Sequence, residues 1–270
     1  MKKIVVFILI GIGLFPIFAQ NPDSTTSEVS MITNRPGATE ASRAVFKKGF
    51  QIEAGLEFGQ VPNFKGNSEG IEYLFLPSFG FQYGVSDNVE LRVFATNYAT
   101  RSINNGAPSQ FVYNLSNLNV GAKINLLKSK GLIPELALLI TQGFPTNPND
   151  VRKQWPTNGV LAWSYSLPVN FSLSGNLGYI NQKEVFEQNI TFSHSWLYTL
   201  NLGYAIKDNT GMFVEVFGQD DLNDDSAIPL NIDGGLWYRF NPKFQVDSSV
   251  GYGFDVGNYY VNVGISWLFL

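Results

Sequence analysis

From Phe50 onward, one parity of this sequence is apolar and the other polar, segment after segment, to the last residue. In "FQIEAGLEF" (50–58), Phe50, Ile52, Ala54, Leu56 and Phe58 alternate with Gln51, Glu53, Gly55 and Glu57. In "YYVNVGISWLFL" (259–270), Val261, Val263, Ile265, Trp267 and Phe269 alternate with Asn262, Gly264, Ser266 and Leu268. Period-two alternation is the mark of a β-strand with one dry face and one wet face. About twelve such segments follow one another without a helical period between them. A chain built this way can bury its dry parity against a second sheet or against lipid.

The charges decide between the two. Across the apolar parity, which includes Tyr73, Phe75, Phe79, Phe81 and Tyr83 and the long stripe from Phe192 to Tyr204, there is no Asp, Glu, Lys or Arg, and His194 is the one ionisable residue. The opposite parity carries eight carboxylates (Glu53, Glu57, Glu72, Glu90, Glu135, Glu215, Asp233 and Asp247) and three cations (Arg92, Lys123 and Arg239). A soluble sandwich also alternates, but its strands run to about 5–6 residues. Several segments here approach the roughly 9–11 residues with which a tilted strand crosses a bilayer. Only 15% of the residues are charged, against about a quarter in soluble domains. Tyr83, Tyr165, Tyr204, Tyr238, Trp267 and Phe269 fall beside tight links, where an interfacial girdle of rings would lie.

The links alternate as well. Those at 86–88, 128–131, 168–170, 207–209 and 241–243 are short and built from turn residues. Those at 60–70, 99–112, 145–158, 181–189 and 219–228 are longer. The sequence therefore predicts an all-β fold: a transmembrane, antiparallel, up-and-down β-barrel of about twelve strands, with short periplasmic turns and longer extracellular loops. It belongs in the outer membrane of a Gram-negative bacterium. The last strand must pair with the first, because lipid cannot satisfy a bare sheet edge. The partners expected are outer-membrane lipids and, through the aromatic C-terminal strand, the barrel assembly machinery.

The front of the chain divides further. Lys2 and Lys3, an apolar run over 4–18 and the small Ala19 read as a signal peptide over 1–19. A polar segment, 20–48, precedes the barrel, 49–270. There is no cysteine, hence no disulfide. The net charge of −4, more negative still without the two leader lysines, argues against a nucleic-acid partner. Residues 32–48 hold Arg35, Arg43, Lys47 and Lys48 against the single carboxylate Glu40. The wet parity they adjoin has a surplus of five negative charges, eight carboxylates less three cations. Opposite charges attract strongly in a confined, poorly hydrated space, and Pro36, Gly37 and Ala38 keep the segment slim. It is expected to enter the lumen as a plug, with Arg35, Glu40 and Arg43 as its contacts. A loose periplasmic lead-in is the other reading of the same residues.

No enzyme, cofactor or metal is expected. A barrel hydrolase of the outer-membrane phospholipase kind needs a serine two residues beyond its lipid-facing histidine, where this chain has Trp196; Ser193 and Ser195 point inward by parity. The acidic "DDLNDDS" (220–226) lacks the spaced ligand pattern of a calcium loop. "GYGFDVG" (251–257) precedes no helix that would receive a phosphate. The inward charges therefore read as cross-strand structural pairs, or as the lining of a permeation path.

Four stretches carry a resemblance. "ITNRPGATEASRAVFKKGFQIEAG" (32–55) is similar to the N-terminal signature of the outer-membrane family named for the MetA pathway of phenol degradation. "LPSFGFQYGVSDNVELRV" (76–93), "LSNLNVGAKINLL" (115–127) and "NIDGGLWYRFNPKFQVDSSVGYGF" (231–254) resemble three further blocks, in the family's order. Asn34 stands where the family commonly has Asp before Arg-Pro. The resemblance implies a channel or transporter for small solutes, hydrophobic or aromatic ones included. A non-transporting structural or adhesive barrel with a closed lumen remains the alternative.

Overall fold

The computed structural model describes residues 31–269, except 63–68, 105–106, 116, 147–151, 188, 223–229 and 256. The expected signal peptide and most of the acidic 220–226 loop lie outside the described residues. The strands, in chain order, are β1 (Phe50–Val61), β2 (Glu69–Ser86), β3 (Val89–Asn104), β4 (Ala107–Pro108), β5 (Val112–Leu115), β6 (Leu118–Leu127) and β7 (Glu135–Phe144). There follow β8 (Arg152–Ser166), β9 (Phe171–Phe186), β10 (Asn189–Lys207), β11 (Thr210–Asp221), β12 (Asn231–Asn241), β13 (Phe244–Gly253) and β14 (Tyr259–Phe269). Twelve of them form the wall, each antiparallel to its neighbours. The seam is closed by β1 on β14, from Phe50↔Phe269 to Gln60↔Tyr259. Strands β4 and β5 extend the wall by pairing with the far end of β3.

Burial is inverted relative to a soluble protein. Among the largest fully buried side chains are Arg92, Lys123, Gln51, Gln82, Gln245, Glu90 and Glu215, while Leu56, Leu91, Leu177, Leu200 and Val263 are exposed. Lipid covers the second set, and the polar parity fills the interior. Around the seam at the short-turn end, rings touch in series. Tyr238 meets Phe240 at 4.9 Å between centroids, Phe240 meets Phe244 at 5.6 Å, and Phe244 meets Trp267 at 5.6 Å. Trp267 then meets Phe269 at 5.2 Å, Phe269 meets Phe50 at 6.0 Å, and Phe50 stacks on Phe81 at 6.3 Å. Alternation places these rings on one face, and strand pairing brings them side by side at the height where amphipathic rings favour the interface.

Two sequence expectations need correction. The ladder between β1 and β2 shifts between Gly55 and Glu57, and that between β2 and β3 shifts between Phe75 and Ser78. A bulge of this kind turns every residue beyond it to the other face. Tyr73 and Phe75, expected toward lipid, stand opposite the inward Gly59 and Glu57. Glu72, expected in the lumen, pairs with Gln60 and Arg101 on the outer face, where Arg101 Nη2 lies 2.5 Å from its carboxylate. The second correction concerns length. The links expected at 99–112, 145–158 and 181–189 are partly strand, since β3 runs to Asn104, β8 starts at Arg152 and β9 runs to Phe186. Beyond the bilayer both faces are wet, so the ladder continues after the alternation has gone.

Candidate functional site

The ten other inward candidates lie on the inner face, and residues 31–48 run among them. Both stems of this segment stand at the short-turn rim. The backbone N–H of Met31 donates to the Pro242 carbonyl (3.0 Å), and that of Lys48 to the Gly84 carbonyl (2.7 Å). Met31, Val45 and Leu268 are buried together, with Phe46 packed on them, and form a small apolar base.

From that base the segment climbs to Arg35, whose guanidinium lies 3.2 Å from Asp247 Oδ1 and also donates to Asn262 Oδ1. It can lie against the wall because Gly55 and Gly264 face each other across the seam. A Cβ on Gly55 would come within 2.1 Å of Arg35 Nη1, and one on Gly264 within 2.2 Å of its Nε. The next turn hands its backbone donors to Glu215, which accepts from the N–H of Ala38 and, at 3.1 Å, from that of Thr39. Unlike strand or helix, an irregular segment has no ladder of its own, so wall side chains satisfy its N–H groups. Glu53 takes the Asn34 N–H (3.0 Å), Asn176 that of Glu40 (2.7 Å), Asn125 that of Ala44 (2.9 Å) and Glu90 that of Val45 (2.9 Å).

The charges of the segment are met in turn. Arg92, buried on β3, donates from one Nη2 to both oxygens of Glu40 (3.0 and 2.9 Å), stacks over the Phe94 ring at 4.5 Å and has Glu90 at 3.8 Å. Lys123 Nζ donates to Asn34 Oδ1 (3.1 Å) and the Arg43 carbonyl (3.3 Å). Arg43 and Glu135 form a two-bonded pair (2.9 and 3.0 Å) nearer the rim. Arg239 stays on the wall, over the Trp237 ring and bonded to Gln245 at 3.1 Å. The sequence alone gives no role in the site to the neutral polar residues Gln51, Asn125, Asn176 and Asn262. The one signal of the apolar base is a leucine (Leu268) on an otherwise polar parity.

Burial opposes ionisation of Glu40, but Arg92, Lys123 and the hydrogen bonds from Arg92 together hold its carboxyl below the ordinary value of 4.5. A carboxylate with a depressed value contributes stability above its unfolded pKa and loses it as pH falls through the folded one. The unfolding temperature should therefore drop as pH is lowered from about 5 to about 3, and Glu40→Gln should flatten that drop. At neutral pH the same substitution should cost roughly 1.5–3 kcal/mol, the worth of hydrogen bonds to a charged group. Thermal melts in detergent across that range check both. Superimposable pH profiles would remove Glu40 from the network.

His194 lies on the outer face, with Nδ1 2.8 Å from the Tyr179 hydroxyl and its ring stacked on Tyr179, while Ser195 is buried on the inner face. Among the described residues, no group of three His, Cys, Asp or Glu side chains is placed to hold a metal ion.

A closed antiparallel wall, apolar outside and charged within, defines an outer-membrane β-barrel of a Gram-negative bacterium. The chain belongs to the family described as MetA-pathway of phenol degradation, whose model matches residues 33–269. No curated protein matches it in sequence. In fold it is similar to the COG4313 outer membrane channel from Pseudomonas putida F1, at 10% identity and a TM-score of 0.67, over 92% of this chain and 100% of that one. The translocator domain of the autotransporter NalP from Neisseria meningitidis follows at 15% identity and a TM-score of 0.56, over 82% and 88%.

Proposed function

We propose that this barrel is a narrow outer-membrane channel for small solutes, hydrophobic and aromatic ones among them, with residues 31–48 as its constriction. One observation carries the reading. Arg35, Pro36 and Gly37 line a cavity of about 450 Å³ toward the periplasm and also a second of about 360 Å³ toward the exterior. The two cavities thus share one thin, hydrogen-bonded partition, which is what a gated path requires. Aromatic residues, Phe213 and Trp237 on the first cavity and Tyr73, Phe217 and Tyr260 on the second, give a solute body something other than charge to touch. The family's name and the similarity in fold to an outer membrane channel of Pseudomonas putida support passage. In the same reading, β14 is the strand presented to the assembly machinery, and the inward charges serve first to hold the partition.

Single-channel recordings in planar bilayers test this. The intact chain should give small, infrequent openings, and deletion of residues 32–44 should give larger or more frequent ones with a lower unfolding temperature. Unchanged conductance and stability would reduce the segment to a tether. A silent barrel that stays silent after the deletion would establish the closed, structural alternative.

A further inference from the structure

The outer chamber has a wall unlike the rest of the lumen. Elsewhere the inward carboxylates meet a cation or a backbone N–H: Asp247 meets Arg35, Glu135 meets Arg43, and Glu53 and Glu90 accept from the segment's backbone. Glu57 and Asp233, which line this chamber, accept no hydrogen bond from a cation or a backbone N–H of the described residues. Asn262 Nδ2 donates to Glu57 Oε2 at 3.0 Å, the Tyr73 hydroxyl also bonds Glu57, and the Tyr260 hydroxyl donates to Asp233 Oδ2 at 2.6 Å. Asp233 is 4% exposed, its Oδ1 has no hydrogen-bond partner, and Glu215 stands directly across the ladder from it. Arg35, on the chamber floor, is already engaged by Asp247 and Asn262.

The aromatic lining is built to match. Tyr73 lies opposite Gly59 and Tyr260 opposite Gly251, each ring folded over the bare glycine. A Cβ on Gly59 would sit 2.1 Å from Tyr73 Cζ, and one on Gly251 2.2 Å from Tyr260 Cζ. The same device therefore occurs twice: a tyrosine laid flat on the wall, its hydroxyl tied to a carboxylate. Phe217 adds a third ring. Flat rings present their negative faces to the chamber, and a buried carboxylate oxygen without a donor asks for one.

We propose that the outer chamber is a binding subsite for a small organic cation, a protonated amine on an aromatic or short aliphatic body. The ammonium sits between Glu57 and Asp233 and supplies the donor that Asp233 Oδ1 lacks. The body lies on Tyr73, Tyr260 and Phe217. A bare metal ion fits less well, because rings make up much of the lining and the tyrosine hydroxyls already occupy one oxygen of each carboxylate. This assignment deepens the channel reading and rests on it for its meaning in transport.

Benzylammonium and its neutral isostere benzyl alcohol, titrated calorimetrically into the full chain in nanodiscs, form the test. The intact chain should bind the cation at least tenfold more tightly than the alcohol. Asp233→Asn and Glu57→Gln should each lose about tenfold for the cation and little for the alcohol, with unchanged heat-modifiable gel migration. Equal affinity for the two probes in the intact chain overturns the proposal whatever the variants do. So does cation binding that survives both substitutions. Discrimination in calorimetry by a barrel that never conducts would uphold the subsite and count against the channel, whereas a conducting barrel without discrimination would overturn the subsite alone.

Discussion

Removal of residues 260–270 is expected to abolish assembly altogether. Strand β14 pairs with β1 along its whole length and with β13 from Phe244↔Trp267 to Tyr252↔Tyr259. Its loss bares two strand edges in hydrocarbon, where each unsatisfied backbone group costs several kcal/mol. The sum far exceeds the roughly 5–15 kcal/mol that holds an ordinary domain together. The same cut removes Leu268 from the apolar base, Asn262 from between Arg35 and Glu57, and Tyr260 from Asp233. Cell fractionation should find no outer-membrane protein and a degraded periplasmic product. Wild-type outer-membrane levels with heat-modifiable migration would mean that the seam closes some other way.

A pair of neighbouring substitutions on β10 should differ as sharply. Leu200 is exposed on the lipid face between Gly175 and Val216, whereas Asn201 points inward and donates to Glu215 Oε2 at 3.1 Å. Leu200→Lys places an ammonium in hydrocarbon and should cost about 2–4 kcal/mol if Leu200 lies near the midplane. Asn201→Lys sets the same ammonium beside a carboxylate, in an interior that already holds Lys123, and should cost well under half as much. Equilibrium unfolding from lipid vesicles measures both. Equal penalties would show the register of this strand to be shifted by one.

The barrel was legible because lipid imposes one rule on one parity for the whole membrane thickness. Strand count, inward charge and the rim of aromatic rings all follow from that rule. Where the rule lapses, sequence reading failed. Glu72 and Tyr73 exchanged faces because a bulge near Leu76–Ser78 leaves no mark in composition, and because Tyr73 is as plausible against lipid as against Glu57. The outer ends of β3, β8 and β9 look like loops in the sequence because, in water on both sides, a strand needs no alternation. Contacts between the segment and the wall were visible only as charge balance. Which cation meets which carboxylate depends on strand order and stagger, and the many asparagines and glutamines that complete the network carry no charge to reveal them.

Segment 31–48 has both feet on one side of the membrane, at Met31 beside Pro242 and at Lys48 beside Gly84. It is a bight of rope pushed into a pipe, with neither end passing through. Such a bight can be drawn out by tension on its Met31 leg without breaking a single strand pairing, while the Lys48 leg stays fastened to β1. The force needed is set by a row of bonds that share the load, from Arg35 to Glu90, and not by the wall. Traction applied from the periplasm at Met31 would therefore unseat the segment and leave the pipe intact.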